Sequence, residues 1–410
     1  MESEQPETNV APARSGPRYE MLDVWRGLVA MLVVAEHAGV VLWGYNSYST
    51  GWEQAWTSTL ASALRLDFGG LLFFVMSGFC IASSLDSARR RGDSPLRFLY
   101  RRFWRIFPTY WAALFVFVAF VAGADAVGLG MLHNNGVSLE LSPPGAITGS
   151  QWLGNLTLTE TWRPHVLGEK VSHVYTRVAW SLCYQEQFYL ACMLLLWLVP
   201  GRLAKGLAAL TVLFLGFRFV VSDLGWVDAW SGTLLYYWDV FAIGLAVHWR
   251  LLGSEGCSSG ARRSAEVGLA AGAIATWACW QSAAGVMPYL FGLALILLHR
   301  WDDRASALAW LRPIRAIGKR SYSIYLIHLP VTNIGNGLLV HAGITPAWAR
   351  ALVILPVVFA ASLAAGWAFH AIVERHFLGL PPRIRWKPPG MLPPGGGLLG
   401  LDRRATAQPA

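Results

Sequence analysis

The chain has 410 residues, of which 55% are hydrophobic and only 14% charged, with 21 Trp, 19 Phe and 13 Tyr. A soluble domain averages about 25% charged residues, so the polar surface is too small to cover a water-soluble particle, and the mean hydropathy of +0.42 agrees. The net charge of +9 does not point to nucleic acid: the basic residues fall in short segments between apolar runs and do not alternate with aromatics.

Residues 1–18 are polar and carry Pro6, Pro12 and Pro17. They read as a disordered tail that lacks the basic n-region of a secretory signal. From there to residue 377 the chain reads as one membrane domain with about ten apolar runs. These are residues 21–43, 66–86, 106–123, 179–199, 207–222, 232–250, 266–283, 285–299, 321–340 and 348–372. Most approach the 18 to 25 residues that cross a hydrocarbon core about 30 Å thick. The predicted fold class is therefore an all-α, polytopic membrane bundle. Residues 378–410 are rich in Pro, Gly and Arg and read as a second disordered tail. The GxGxxG match at residues 395–400 follows no strand and opens no helix, so it is low complexity.

Orientation follows from Lys and Arg. With the N-terminus inside, 27 of the 33 fall in inner segments, leaving Arg65, Arg163, Lys170, Arg177, Arg218 and Arg350. This bias predicts that both termini are cytoplasmic. The longest outer segment, residues 124–178, carries His133, His165, His173, Trp152 and Trp162, and such a tryptophan either stacks on a sugar or anchors in the interface. Cys80, Cys183, Cys192, Cys257 and Cys279 form no CxxC pattern and imply neither a disulfide framework nor a metal site.

Ionisable groups inside apolar runs cost about 2.5 to 3.5 kcal/mol each on insertion and are functional candidates by default. The first run holds Asp23, Arg26, Glu36 and His37. Arg26 and His37 are separated by 11 residues, which puts them about 20° from alignment on one helical face and about 16 Å apart. Asp23 lies within pairing distance of Arg26. The competing reading is a histidine bonded to a neighbouring helix and an arginine snorkelling to headgroups.

In the second run comes Phe73-Phe74-Val75-Met76-Ser77-Gly78-Phe79, then a basic loop. Ser77 has no evident base and reads as a small packing residue. Arg102 and Arg105 would share one face of a helix entering the membrane, where paired guanidinium forks bind phosphate. A plain topology signal or an anionic-lipid contact is the alternative. Glu186 is an intramembrane carboxylate between Gln185 and Gln187, able to orient a His or Arg on another helix or to make a structural bond. His328 precedes Pro330 by two residues, and Glu374-Arg375 reads most simply as an ion pair.

The ordered set Leu22-Asp23 through Arg26-Gly27 with His37, Phe73 to Phe79, Arg101 to Trp111, Trp180 to Tyr189 and Ser321 to Pro330 resembles the membrane acyltransferase family 3, which includes O-antigen acetylases and macrolide acyltransferases. The resemblance covers residues 19 to 376. It implies acyl transfer from acyl-CoA to hydroxyls, with Arg26 and His37 as the essential pair and Arg102 and Arg105 on the coenzyme side. Glu186 and His328 match further motif positions.

The expected activity is thus O-acylation, with acetyl-CoA the leading donor and no permanently bound cofactor or metal. His37, Arg26 and Glu186 are the catalytic candidates, and Arg102 and Arg105 the coenzyme-binding ones. The expected partners are the lipid bilayer, acyl-CoA and a glycan or glycolipid at a bacterial inner membrane, and no nucleic acid. Alternatives are acylation of a small glycosylated metabolite and, in a different class, a secondary transporter with Asp23, Glu36, His37 and Glu186 as a proton relay.

Overall fold

The computed structural model describes residues 19–39, 42, 51–64, 68–132, 142–168, 174–199, 202–224, 230–253, 258–343 and 347–379. His133, His173, Cys257, the tail 1–18 and the tail from 380 onward, with its GxGxxG match, lie outside the described residues. The longer helices are α1 (Leu22–Ala38), α2 (Gly51–Leu64), α3 (Gly69–Arg90), α4 (Pro95–Ala126), α5 (Gly149–Thr157), α6 (Trp180–Leu198) and α7 (Leu203–Asp223). They continue with α8 (Trp238–His248), α9 (Ser259–Trp280), α10 (Ala283–Leu298), α11 (Arg312–Lys319), α12 (Ser321–His341) and α13 (Leu355–Ile372). No strand occurs among the described residues.

Each of the ten apolar runs overlaps one of these helices. Five helical segments are long and apolar enough to cross a membrane: Gly69–Arg90, Pro95–Ala126, Leu203–Val221, Ala283–Ser306 and Arg350–Ile372. Lipid is the fitting solvent for the periphery. Val212, Leu213 and Phe219 on α7 and Phe115 on α4 are all more than 60% exposed, and large apolar side chains gathered on the outside in this way are rare on a monomer in water.

Inside the bundle, the closest helix approaches run through glycine. A Cβ on Gly78 of α3 would meet the Phe241 carbonyl of α8, and one on Gly244 of α8 would meet the Val75 carbonyl. Likewise Gly27 of α1 faces the Ile314 carbonyl of α11, while Gly318 faces the Asp23 carbonyl. Without a hydrophobic drive between helices in lipid, such backbone proximity supplies the packing. Asp302 fixes the start of α1, its two carboxylate oxygens each accepting a backbone N–H, from Glu20 and Met21, at 2.8 Å.

Two expectations change. The basic segment after α3 is helical: Ser94 Oγ caps the Arg97 N–H at 3.3 Å and Pro95 opens α4, so Arg97 to Arg105 stand on the same rod as the apolar span. The outer segment also has a folded part. Tyr110 and Trp111 of α4 donate to the Asn155 and Leu156 carbonyls at 2.9 Å each, a buried Arg163–Glu160 pair closes at 2.9 Å, and Trp152 packs its ring on Tyr175.

Candidate active site

On α3, Phe73, Ser77, Cys80, Ser84, Ser87 and then Arg91 recur every three or four residues, so they share one helical face. That face lines a cavity of about 540 Å³, and at 1.5 Å per residue the stripe is about 27 Å long. Opposite stand Arg101, Arg102 and Arg105 of α4, Arg26 of α1, Ser181, Gln185 and Tyr189 of α6, and Ser321, Tyr322 and Tyr325 of α12. Five of the lining residues are arginines and none is acidic.

The arginines are not equivalent. Asp93, buried beside the cavity mouth, receives Arg91 at 2.9 Å, Arg97 at 3.3 Å and Arg101 at 3.5 Å. Arg26 pairs with Asp23 at 3.7 Å, as the spacing predicts. Arg102 donates to the Cys80 carbonyl at 3.3 Å and to Ser84 Oγ, and lies 5.3 Å from the Tyr189 ring centroid. Arg105 has no hydrogen bond or ion pair among the described residues. It is repelled by Arg26 and Arg102 and attracted by Glu374. A half-buried, unpaired guanidinium among like charges is relieved by an anion, and its planar fork suits phosphate oxygens.

Glu374 does not pair with Arg375. It turns inward to accept from Ser323 Oγ at 2.6 Å and to meet His370 Nδ1 at 2.8 Å, whereas Arg375 is exposed and its Nε contacts His376 Nε2 at 3.3 Å. Burial decides this: a carboxylate at 2% exposure needs inward donors, which an outward-pointing neighbour cannot supply.

Past the arginines the cavity becomes neutral. Gln185 Nε2 donates to Ser77 Oγ at 2.9 Å, and Tyr189 OH donates to Gln185 Oε1 at 3.4 Å. Ser77 accepts this bond, so its own proton is free to point into the cavity. The inner end is an aromatic layer in which Phe73 and Tyr325 meet edge to face with centroids 5.4 Å apart. Tyr325 OH donates to the Val178 carbonyl at 2.7 Å and lies 2.8 Å from Ser181 Oγ.

One layer further on are two histidines. The His328 ring lies 5.9 Å from that of Tyr325, and the His37 ring 4.9 Å from that of His328. His37 Nδ1 faces the Val33 carbonyl at 2.9 Å, and His328 Nδ1 faces the Tyr325 carbonyl at 2.8 Å. A carbonyl only accepts, so both rings carry their proton on Nδ1 and present Nε2 as a lone pair. α12 runs unbroken through Pro330.

The structure therefore gathers Arg26, Arg102 and Arg105 at one end and sets His37 beyond the other. Arg26 belongs to the arginine cluster and not to the immediate surroundings of His37. Glu186 is not hydrogen-bonded to His37: it sits in the field of Arg102, with Oε1 buried and without a hydrogen-bond partner among the described residues. Sequence reading passed over the Ser77–Gln185 bond, the role of Tyr325 and the contact of His37 with His328. The α3 stripe was open to view in the spacing of Ser77, Cys80, Ser84 and Ser87; the inter-helix contacts were not, because spacing fixes directions only within one helix.

No curated protein and no solved structure matches the chain. The acyltransferase domain family model, acyltransferase 3, matches residues 19–369. That span takes in the cavity lining except Phe377, Leu378 and Gly379, with its five arginines and both histidines, and the chain is a membrane acyltransferase of the acyltransferase 3 family.

Proposed function

We propose that the protein takes an acyl group, acetyl by preference, from cytoplasmic acyl-CoA and transfers it to a hydroxyl of a glycan or glycolipid at the outer side of a bacterial inner membrane. About ten helices cross the bilayer, with both termini in the cytoplasm. The observation that carries this reading is the acid-free cavity lined by five arginines, with two lone-pair histidines one layer beyond its Phe73–Tyr325 end. Coenzyme A has the matching anatomy: phosphates at one end, a long neutral arm, and the thioester at the tip.

Arg26, Arg102 and Arg105 hold the phosphates. The arm runs along the serine face of α3, where Ser77 and Gln185 meet its amides, and the thioester reaches the Phe73–Tyr325 layer. His37 Nε2 accepts the proton of the acceptor hydroxyl as the oxygen attacks the thioester carbonyl carbon. The C–S bond then breaks and the imidazolium returns the proton to the departing thiolate.

The direct experiment adds acetyl-CoA labelled in the acetyl group to membranes containing the protein. Label should move into an extractable glycan or glycolipid, and its appearance should depend on the protein. If label goes only into a small glycosylated metabolite supplied to the membranes, the enzyme class stands and the acceptor changes. If no label leaves the coenzyme in either case, the reading fails.

A further inference from the structure

Three of the helices that line the coenzyme cavity leave it at one level. On α3 the lining stops at Phe73, short of the helix start; on α6 it begins at Ser181; on α12 it ends at Tyr325, one turn before His328. These last lining residues touch one another. The Phe73 and Tyr325 rings meet edge to face with centroids 5.4 Å apart, and Tyr325 OH lies 2.8 Å from Ser181 Oγ. The cavity therefore ends in a wall to which each of the three helices gives one side chain. Tyr325 is fixed in that wall: its OH also donates to the Val178 carbonyl at 2.7 Å, and the fully buried His328 stands behind it, ring centroids 5.9 Å apart, so the ring has little room to retreat.

The length of α3 shows what reaches this wall. Arg102, a phosphate-holding residue in the reading above, bonds to Ser84 Oγ and the Cys80 carbonyl. From Ser84 to Phe73 is 11 residues, about 16 Å along the helix. The coenzyme's arm has about twelve bonds between pyrophosphate and sulfur, and an extended chain gains about 3.3–3.6 Å per three bonds, so the arm spans about 14 Å. The difference of about 2 Å is the reach of an acetyl group, and every further methylene adds about 1.2 Å. Phe73 packs against the buried cluster of Val29, Leu72 and Met76, and an interior filled in this way resists the insertion of extra methylenes.

We infer that Phe73 and Tyr325 are the residues that select the donor by acyl length, admitting acetyl and turning away longer chains. An acetyl group ends against the two rings with the thioester still on the cavity side. A propionyl or butyryl chain carries one or two methylenes more and has to displace a ring or withdraw the arm, which pulls the phosphates away from Arg102. The two rings limit length differently. Phe73 does so by bulk, with no hydrogen bond to hold it. Tyr325 does so by position, because swinging aside breaks its bonds to Val178 and Ser181 together.

This selection rests on the acyl-CoA reading above, and the test separates the two. Acetyl-, propionyl- and butyryl-CoA, each labelled in the acyl group, are supplied separately to membranes from source cells lacking the chromosomal copy. The membranes carry full-length wild type, Phe73→Leu, Phe73→Ala or Tyr325→Phe, and label in the extracted glycan or glycolipid gives kcat/KM for each donor. The ratio between donors cancels the fraction of protein that folds, so a destabilised variant still reports. For wild type, propionyl should fall about ten-fold below acetyl and butyryl lower still. Phe73→Leu should raise the butyryl-to-acetyl ratio several-fold and Phe73→Ala about ten-fold or more, with binding of free coenzyme A, which has no acyl group, retained. Tyr325→Phe keeps the ring and removes its anchor, while Ser181 Oγ, 3.4 Å from the Val178 carbonyl, takes over that bond; the ratio should again rise several-fold. A wild type that uses butyryl as readily as acetyl overturns the inference, and so do ratios that stay flat in the Phe73 series or in Tyr325→Phe. A ratio that rises only where free coenzyme A no longer binds overturns it too, being the mark of a collapsed cavity. If wild type transfers label from none of the three donors, the acyl-CoA reading falls, and the selection falls with it.

Discussion

Arg105 lines the cavity with no hydrogen bond or ion pair among the described residues, and removing it should therefore touch the ligand more than the fold. Charge-assisted hydrogen bonds contribute about 1.5–3 kcal/mol, so Arg105→Ala should weaken acetyl-CoA binding about ten-fold to a hundred-fold in equilibrium dialysis, with expression near normal. Arg105→Lys should recover part of this, because an ammonium is a point charge and not a planar fork. Arg97→Ala is the contrast: Arg97 is exposed, pairs with Asp93 and does not line the cavity, so its binding should match wild type. His37 sits at the other end of the same path. His37→Ala should bind acetyl-CoA normally yet lose about 10² to 10⁴ in turnover, the span typical of a general base. Label kept on the wild-type protein after acetyl-CoA is removed would indicate an acyl-histidine in place of direct transfer. The sequence announced Arg102, Arg105 and His37 because intramembrane charge is costly enough to be noticed one residue at a time. It could not announce that Glu186 faces Arg102 or that His328 faces His37, because those contacts are set by how separate helices rotate against each other.

At the scale of elements, glycine decides which helices touch. Gly244 lies against the α3 backbone, and a backbone atom cannot rotate aside as a side chain can. Gly244→Val should push α8 off α3, cost about 3 kcal/mol or more in stability, and abolish acetyl-CoA binding along with folding, read as loss of a cooperative melt. Gly123 in α4 has no atom near a prospective Cβ, so Gly123→Ala should leave activity intact and raise stability by about 0.5–1 kcal/mol through helix propensity. A Gly244→Val protein as stable as wild type would refute the glycine-mediated contact. The apolar runs were legible because about twenty residues without charge leave few alternatives. Besides the nine-residue α5 of the outer segment, two helices escaped notice for opposite physical reasons. In α2, Thr57, Ser58, Thr59 and Ser62 dilute the apolar pattern, while α11 is short and basic, with Arg312, Arg315 and Lys319 among eight residues. Helix α11 nevertheless packs against α1 through Gly27 and Gly318, so it helps set the position of the helix that carries both Arg26 and His37.

The whole molecule has a direction, and chemistry and topology must agree on it. Arg26, Arg91, Arg101, Arg102 and Arg105 all line one cavity, while Asn155 and Leu156 pack further along α4, on Tyr110 and Trp111 at its middle. Acyl-CoA is made in the cytoplasm, so the arginine end must open there for the proposed reaction to run, and the lopsided distribution of Lys and Arg along the chain independently predicts the same orientation. Helix length adds a third constraint: α4 has 32 residues, about 48 Å at 1.5 Å per residue, which exceeds the hydrocarbon core of about 30 Å and leaves its basic first turns in the headgroup region. A reporter active only in the cytoplasm, fused after Gly92, should therefore be on, and one fused after Gly168 should be off. A reporter active only outside should give the reverse pattern. If Gly92 reads outside, the arginine cavity faces away from the coenzyme pool, and the phosphate-binding role of Arg105 falls with the topology even though the cavity itself is unchanged. If Gly168 reads inside, an odd number of crossings between the two points is lost, and α4 must re-enter the side it came from in spite of having the length to span.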